Sequence, residues 1–145
     1  MELAKKEIQN LIRFAADARK FAYAPYSQFA VGASLLGADA KIYTGCNIEN
    51  AAFTPGNCAE RTAVFKAVSE GCRKFTAIAI IGGKLDEDAL AQTGYTAPCG
   101  VCRQVLREFV NPSTFVVILA RTMDEYKVYT LEELLPESFG PENLK

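Results

Sequence analysis

Apolar residues recur along the first twenty positions at intervals of three and four, at Leu3, Ile8, Leu11, Ile12, Ala15 and Ala18, with charges between them. That spacing predicts an amphipathic helix with one buried stripe. Tyr23-Ala-Pro-Tyr-Ser27 ends it, because Pro25 disfavours helical backbone just before it. Two strand-forming runs follow, Phe29–Leu36 and Lys41–Cys46, joined by a short turn around Gly37 and Asp39. They predict an antiparallel hairpin. Residues 47–57 are rich in Asn, Pro and Gly and read as a loop. Cys58–Glu70 reads as a helix stopped at Gly71. The apolar runs Thr76–Ile81 and Phe115–Leu119 predict strands buried on both faces and central in a sheet, the first halted by Gly82-Gly83. Gly100–Val110 predicts a helix ended by Asn111-Pro112, and Tyr126–Tyr129 a weaker strand. Thr130–Leu135 opens with a Thr-x-x-Glu capping box and reads as a short helix before Pro136.

Strands that alternate with helices predict an α/β fold in which helices cover a sheet. The hairpin makes that sheet mixed. The 145 residues, half of them apolar and without internal repeat, suit one domain over 1–145. Formal net charge is −1, which argues against the basic face of a nucleic-acid binder. The only basic cluster, Lys5, Lys6, Arg13, Arg19 and Lys20, is interleaved with acids and apolar residues and reads as a solvated face. The N-terminus lacks a signal-peptide pattern, and no apolar run has the length to cross a membrane. Five cysteines without a disulfide-scaffold spacing point to a reducing, cytoplasmic setting.

Two short segments carry the chemistry: Cys58-Ala59-Glu60 and Pro98-Cys99-Gly100-Val101-Cys102. Three thiolates, from Cys58, Cys99 and Cys102, can hold Zn²⁺ and leave one tetrahedral position open, as catalytic zinc sites do. A carboxylate beside that position can move protons for the water there, and with no histidine in the chain Glu60 is the leading candidate. Each cysteine segment opens a predicted helix, so two positive dipole ends would favour thiolate over thiol. A Cys-x-x-Cys pair alone fits a zinc ribbon or a redox motif equally. A ribbon needs a second close pair, which neither Cys46 nor Cys72 forms. Those two read as small apolar residues. A redox pair leaves Cys58-x-Glu60 without a role.

At these residues the chain resembles the zinc-dependent cytidine deaminases, in particular the small, single-domain homotetrameric class. The resemblance runs through Tyr23-Ala-Pro-Tyr-Ser27, Phe29-Ala-Val-Gly-Ala33, Gly45-Cys-Asn-Ile-Glu-Asn-Ala51, Cys58-Ala-Glu-Arg-Thr62, Pro98-Cys-Gly-Val-Cys-Arg-Gln104 and Leu134-Leu-Pro136. It implies a three-layer α/β/α sandwich with a mixed sheet of about five strands. It implies one Zn²⁺ per chain on Cys58, Cys99 and Cys102. The implied reaction is hydrolytic deamination of cytidine and 2′-deoxycytidine to the uridines, a step of pyrimidine salvage. Hydroxide from the zinc-held water attacks C4, while Glu60 shuttles its proton to N3 and to the departing ammonia. Phe29, Asn47, Glu49 and Ala59 match substrate-binding positions, Phe29 against the base and the Asn47–Glu49 pair on the sugar. Ala51, Phe53 and Phe139 match residues that close the pocket of a neighbouring subunit. Arg61 matches an arginine that offsets the negative charge of three thiolates.

Three other functions share these features. A relative acting on an aminoacyl-nucleoside antibiotic would keep the zinc site, although Asn47-Ile-Glu49-Asn50 favours plain nucleosides. A non-catalytic zinc-stabilised interaction module would tolerate loss of Glu60. A polynucleotide-editing deaminase would need a basic, aromatic-lined surface. The segment from Gly83 to Thr96 is longer than the family's usual link and reads either as a rim over the site or as a surface insertion.

Overall fold

The computed structural model describes residues 2–145. Helix α1 (Lys5–Arg19) leads into strand β1 (Phe29–Gly37) and strand β2 (Ile42–Cys46). Helix α2 (Ala59–Ser69), strand β3 (Phe75–Lys84), helix α3 (Gly100–Phe109) and strand β4 (Val116–Ala120) follow. Strand β5 (Tyr126–Thr130), helix α4 (Leu131–Leu134) and a 3₁₀ turn (Pro141–Leu144) complete the chain. The five strands form one sheet in the order β2-β1-β3-β4-β5. Only β3 and β4 are parallel; the other neighbours are antiparallel, so the sheet is mixed as the hairpin required.

Alternation along β3 assigns the layers. Ala77, Ala79 and Ile81 face α1 and pack with Ile8, Leu11, Ile12 and Ala15. Ile78 and Ile80 face the other way and pack with Ala63, Val64 and Ala67 of α2 and Leu106 of α3. The result is the expected α/β/α sandwich. Every side chain from Ala77 to Ile81 is fully buried, as a strand with helices on both faces requires.

Two elements depart from the sequence reading. Strand β3 does not stop at Gly82-Gly83 but runs to Lys84, because β1 supplies a pairing partner for each residue there: Val31 for Gly82, Ala30 for Gly83 and Phe29 for Lys84. Ladder pairing outweighs the low strand preference of glycine. Arg19 does not lie on a solvated face. It is 6 % exposed, and its guanidinium donates to the carbonyls of Ala30 (2.9 Å), Gly83 (3.2 Å), Lys84 (2.6 Å) and Glu87 (3.2 Å). The end of α1 is thereby tied to β1 and to the exit of β3. The capping box on α4 forms as read, with Thr130 Oγ1 accepting from the Glu133 amide at 3.2 Å and Glu133 Oε1 accepting from the Thr130 amide at 2.8 Å.

The segment beyond β3 folds back over the ends of β3 and β4. Gln92 is buried and its amide donates to the Arg121 carbonyl at 2.9 Å, while Thr96 Oγ1 donates to the Gly82 carbonyl at 3.1 Å. Among the described residues, no helix is long and apolar enough to cross a membrane.

Candidate metal centre and adjoining cleft

Cys58 and Cys99 are the N-caps of α2 and α3, both with extended backbone. An N-cap side chain points back over the free amides of the first turn, and the Cys99 sulfur accepts from the Cys102 amide at 3.4 Å. Two helices from separate parts of the chain therefore deliver three sulfurs to one point. The Sγ atoms of Cys58 and Cys99 are 3.8 Å apart, those of Cys99 and Cys102 are 3.4 Å apart, and all three lie within 4.8 Å of one another. Tetrahedral zinc with bonds of about 2.3 Å separates its sulfurs by roughly 3.8 Å, so the donor set fits that ion. Cys46 and Cys72 lie outside the group, and all five cysteines are unpaired thiols.

The electrostatics around the sulfurs pull the thiols in opposite directions. A hydrogen bond from the Cys102 thiol, aided by the Arg61 guanidinium and by Cys99, lowers Cys58 to about 5. Cys102 moves the opposite way, because it supplies the proton of that bond and because it is buried. Arg61 Nη2 donates to the Cys58 sulfur at 3.3 Å, which holds the guanidinium more firmly protonated than usual. Glu60, in the first turn of α2, is 4 % exposed, and burial pushes it up to about 7. Ala59 beside it is completely buried.

A cleft of about 510 Å³ borders this centre. Cys58 and Arg61 line it together with Tyr26, Asn47, Glu49, Phe53 and Asn57. Phe29 instead borders an adjoining hollow of about 540 Å³, with Gln28, Lys84, Leu85 and Asp86; Ser27 lines both. The front of the long 83–96 segment thus reaches the hollow beside Phe29. Ala51 is exposed, and Phe53 and Phe139 leave 87 % and 57 % of their surface open.

Asn47 and Glu49 are both engaged within the chain. Asn47 Oδ1 accepts from the Val31 amide and Nδ2 donates to the Phe29 carbonyl, each at 2.8 Å. Glu49 Oε1 accepts from the amides of Tyr26 (3.0 Å) and Ser27 (3.1 Å), and Oε2 accepts from the Ser27 hydroxyl. The amide and carboxylate still retain one unused N–H and one free lone pair, enough to meet a hydroxyl as donor and acceptor. Sequence reading did not find these internal bonds. The Tyr23-to-Ser27 segment meets the loop only in the fold, where Tyr23 and Ile48 form an isolated bridge.

Residues 5–119 match the family model described as the cytidine and deoxycytidylate deaminase zinc-binding region. A cytidine deaminase of Sporosarcina psychrophila is 46% identical over 138 residues, covering 95% of both chains. One from Halalkalibacterium halodurans is 43% identical over 136 residues, covering 94% of this chain and 96% of the relative. The crystal structure of cytidine deaminase from Burkholderia pseudomallei superposes with a TM-score of 0.78 at 45% identity, over 90% of this chain and 97% of that one.

Proposed function

The chain belongs to the cytidine and deoxycytidylate deaminase family, and we propose that it deaminates free cytidine and 2′-deoxycytidine hydrolytically, giving the uridines and ammonia. The observation that carries this reading is the meeting of three sulfurs at the N-termini of α2 and α3, with a buried carboxyl, Glu60, in the first turn of α2.

In this reading Cys58, Cys99 and Cys102 hold zinc. When bound, the metal supplies Lewis acidity that lets water attack at neutral pH. Glu60 takes a proton from the attacking water and delivers it to N3 as the new C4–O bond forms and the ring loses aromaticity. It then assists protonation of the amino nitrogen, so that the C4–N bond breaks with ammonia rather than an amide anion as leaving group. A carboxyl held near neutrality by burial suits a group that must both accept and donate. Arg61 offsets negative charge at the sulfurs, where a guanidinium serves better than a point charge because its donors are spread in a plane. Phe29 packs on the base, Ala59 sits at its edge, and Asn47 and Glu49 take the sugar hydroxyls through the donor and lone pair left free.

The reading extends to a homotetramer in the cytoplasm. Ala51, Phe53 and Phe139 lie at the surface of the isolated chain and would close the pocket of an adjoining copy. Five unpaired thiols suit a reducing compartment. The test is incubation of the purified protein with cytidine, with metal analysis on the same sample. Uridine and ammonia appearing in equal amounts, with close to one zinc per chain, supports the proposal. Zinc without turnover would favour an interaction module, and faster conversion of single-stranded RNA or DNA than of cytidine would favour an editing enzyme.

A further inference from the structure

Helix α3 carries one sulfur at its N-cap, Cys99, and another in its first turn, Cys102, and the turns that follow hold the C-terminal tail. Arg103 Nε donates to the Pro98 carbonyl (2.7 Å) and its Nη1 to the Leu134 carbonyl (2.6 Å). Gln104 Nε2 donates to the Phe139 carbonyl at 2.9 Å. Arg107 Nε donates to Ser138 Oγ at 2.8 Å and its Nη2 to Glu142 Oε2 at 2.9 Å. Positions 103, 104 and 107 are three and four apart and share a helix face. That face is a row of donors, and the tail lies along it.

Gly140 explains how closely the tail lies. It is buried, with φ −146 and ψ −176, an extended conformation open to any residue. The close approach leaves no room for a side chain unless Arg107 moves: a Cβ at 140 would overlap its guanidinium carbon and both terminal nitrogens, and would push the tip of that side chain aside. The guanidinium therefore sits against the bare α-carbon. Glu137, at the entry to this stretch, has φ 53, a left-handed conformation that a non-glycine residue holds only where its surroundings impose it. Between these pins stands Phe139, its carbonyl fixed by Gln104 and its ring mostly in solvent.

We infer that Arg107, seated against Gly140, is a positioning residue that fixes Phe139 at a set distance from the thiol ligands on the same helix. From Cys102 to Arg107 is five residues, a rise of about 7.5 Å along a rigid element. A tail locked to that element carries its aromatic ring to the neighbouring pocket in register with the metal centre. This inference rests on the proposal that Phe139 closes an adjoining subunit's nucleoside site. The Arg107–Glu142 ion pair is secondary, since Glu142 is 65 % exposed and such pairs contribute little. The fit against Gly140 is what sets the geometry.

The experiment compares zinc-loaded full-length wild type with Gly140→Ala, Arg107→Lys, Phe139→Ala and the Gly140→Ala/Phe139→Ala pair. KM and kcat for cytidine, zinc content, melting temperature and sedimentation are measured on each. Loss of a placed aromatic contact is worth about 3- to 10-fold in binding. Gly140→Ala and Phe139→Ala should each raise KM by that factor, while zinc content stays at the wild-type level and kcat changes less than KM. Arg107→Lys should fall between them and wild type. Adding Gly140→Ala to Phe139→Ala should change KM no further, because the ring being positioned is gone. If Phe139→Ala raises KM but Gly140→Ala and Arg107→Lys lower only the melting temperature, the clamp is purely structural and the inference fails while pocket closure stands. Independent, multiplying KM effects in the double variant overturn it likewise. If Phe139→Ala leaves KM unchanged, pocket closure falls and the inference with it.

Discussion

Glu49 shows how a single carboxylate can shape the loop beside a cleft. Its hydrogen bond from the Ser27 hydroxyl, then those from the Ser27 and Tyr26 amides, hold it below its ordinary value of 4.5. A carboxyl depressed in the folded state contributes stability that is complete above its unfolded value and is lost as pH falls through the folded one. The turn at Tyr26–Ser27 should therefore stay closed above about pH 4.5 and loosen below it. Hydrogen exchange at the two amides checks this: their protection, relative to the intrinsic rate at each pH, should fall on acidification in wild type. In Glu49→Gln it should be lower than in wild type at neutral pH and show no such acid step. At this scale the three cysteines were legible, because Cys58 and the Cys99–Cys102 pair each stand in a short motif that opens a helix, although 41 positions separate Cys58 from Cys99. Arg107 with Gly140, and Arg19 with its four carbonyls, were not. Each is an ordinary helix arginine in sequence, and only folding brings residues 31 or more positions away onto its guanidinium in the first case, and both near and distant carbonyls in the second.

Among the elements, α2 and α3 were readable to within a residue because glycine, proline and the caps mark their ends locally. Strand β3 was read too short because its last residues owe their conformation to β1, which lies some fifty positions earlier. The same dependence makes Gly45 critical to the metal centre. A Cβ at Gly45 on β2 would collide with the Ala59 carbonyl and the Ala63 amide, so β2 and the first turn of α2 touch backbone to backbone. That turn carries Glu60 and follows Cys58 directly. Gly45→Ala should destabilise the protein by about 1–3 kcal/mol, as overpacking does, and should reduce zinc retention by displacing α2. Thermal melts and metal content measure the two effects. An alanine variant with wild-type values in both would show that α2 can shift without disturbing the sulfurs.

For the whole molecule, an α/β fold with helices covering a mixed sheet followed from the alternation of patterns and the three-layer sandwich from the family resemblance, while the role of the 83–96 segment followed from neither. Its burial of Gln92 and its approach to the hollow at Phe29 depend on contacts with Arg121 and Arg19 that lie far away in sequence. Phe53 and Phe139 are 87 % and 57 % exposed, apolar surface that contact with an adjoining copy would cover. Sedimentation at assay concentration should give a tetramer, and an active monomer would contradict shared pockets. On the proposed function, Glu60 moves the protons of a zinc-dependent hydrolytic deamination of cytidine. The most direct test of that proposal is cytidine turnover by wild type and Glu60→Gln matched for zinc content and sedimentation. Uridine and ammonia should appear in equal amounts from wild type, and the rate should be lower by at least about 10²–10⁴ in the variant. Comparable turnover by the two, or a zinc-loaded wild type inert toward cytidine, would contradict it.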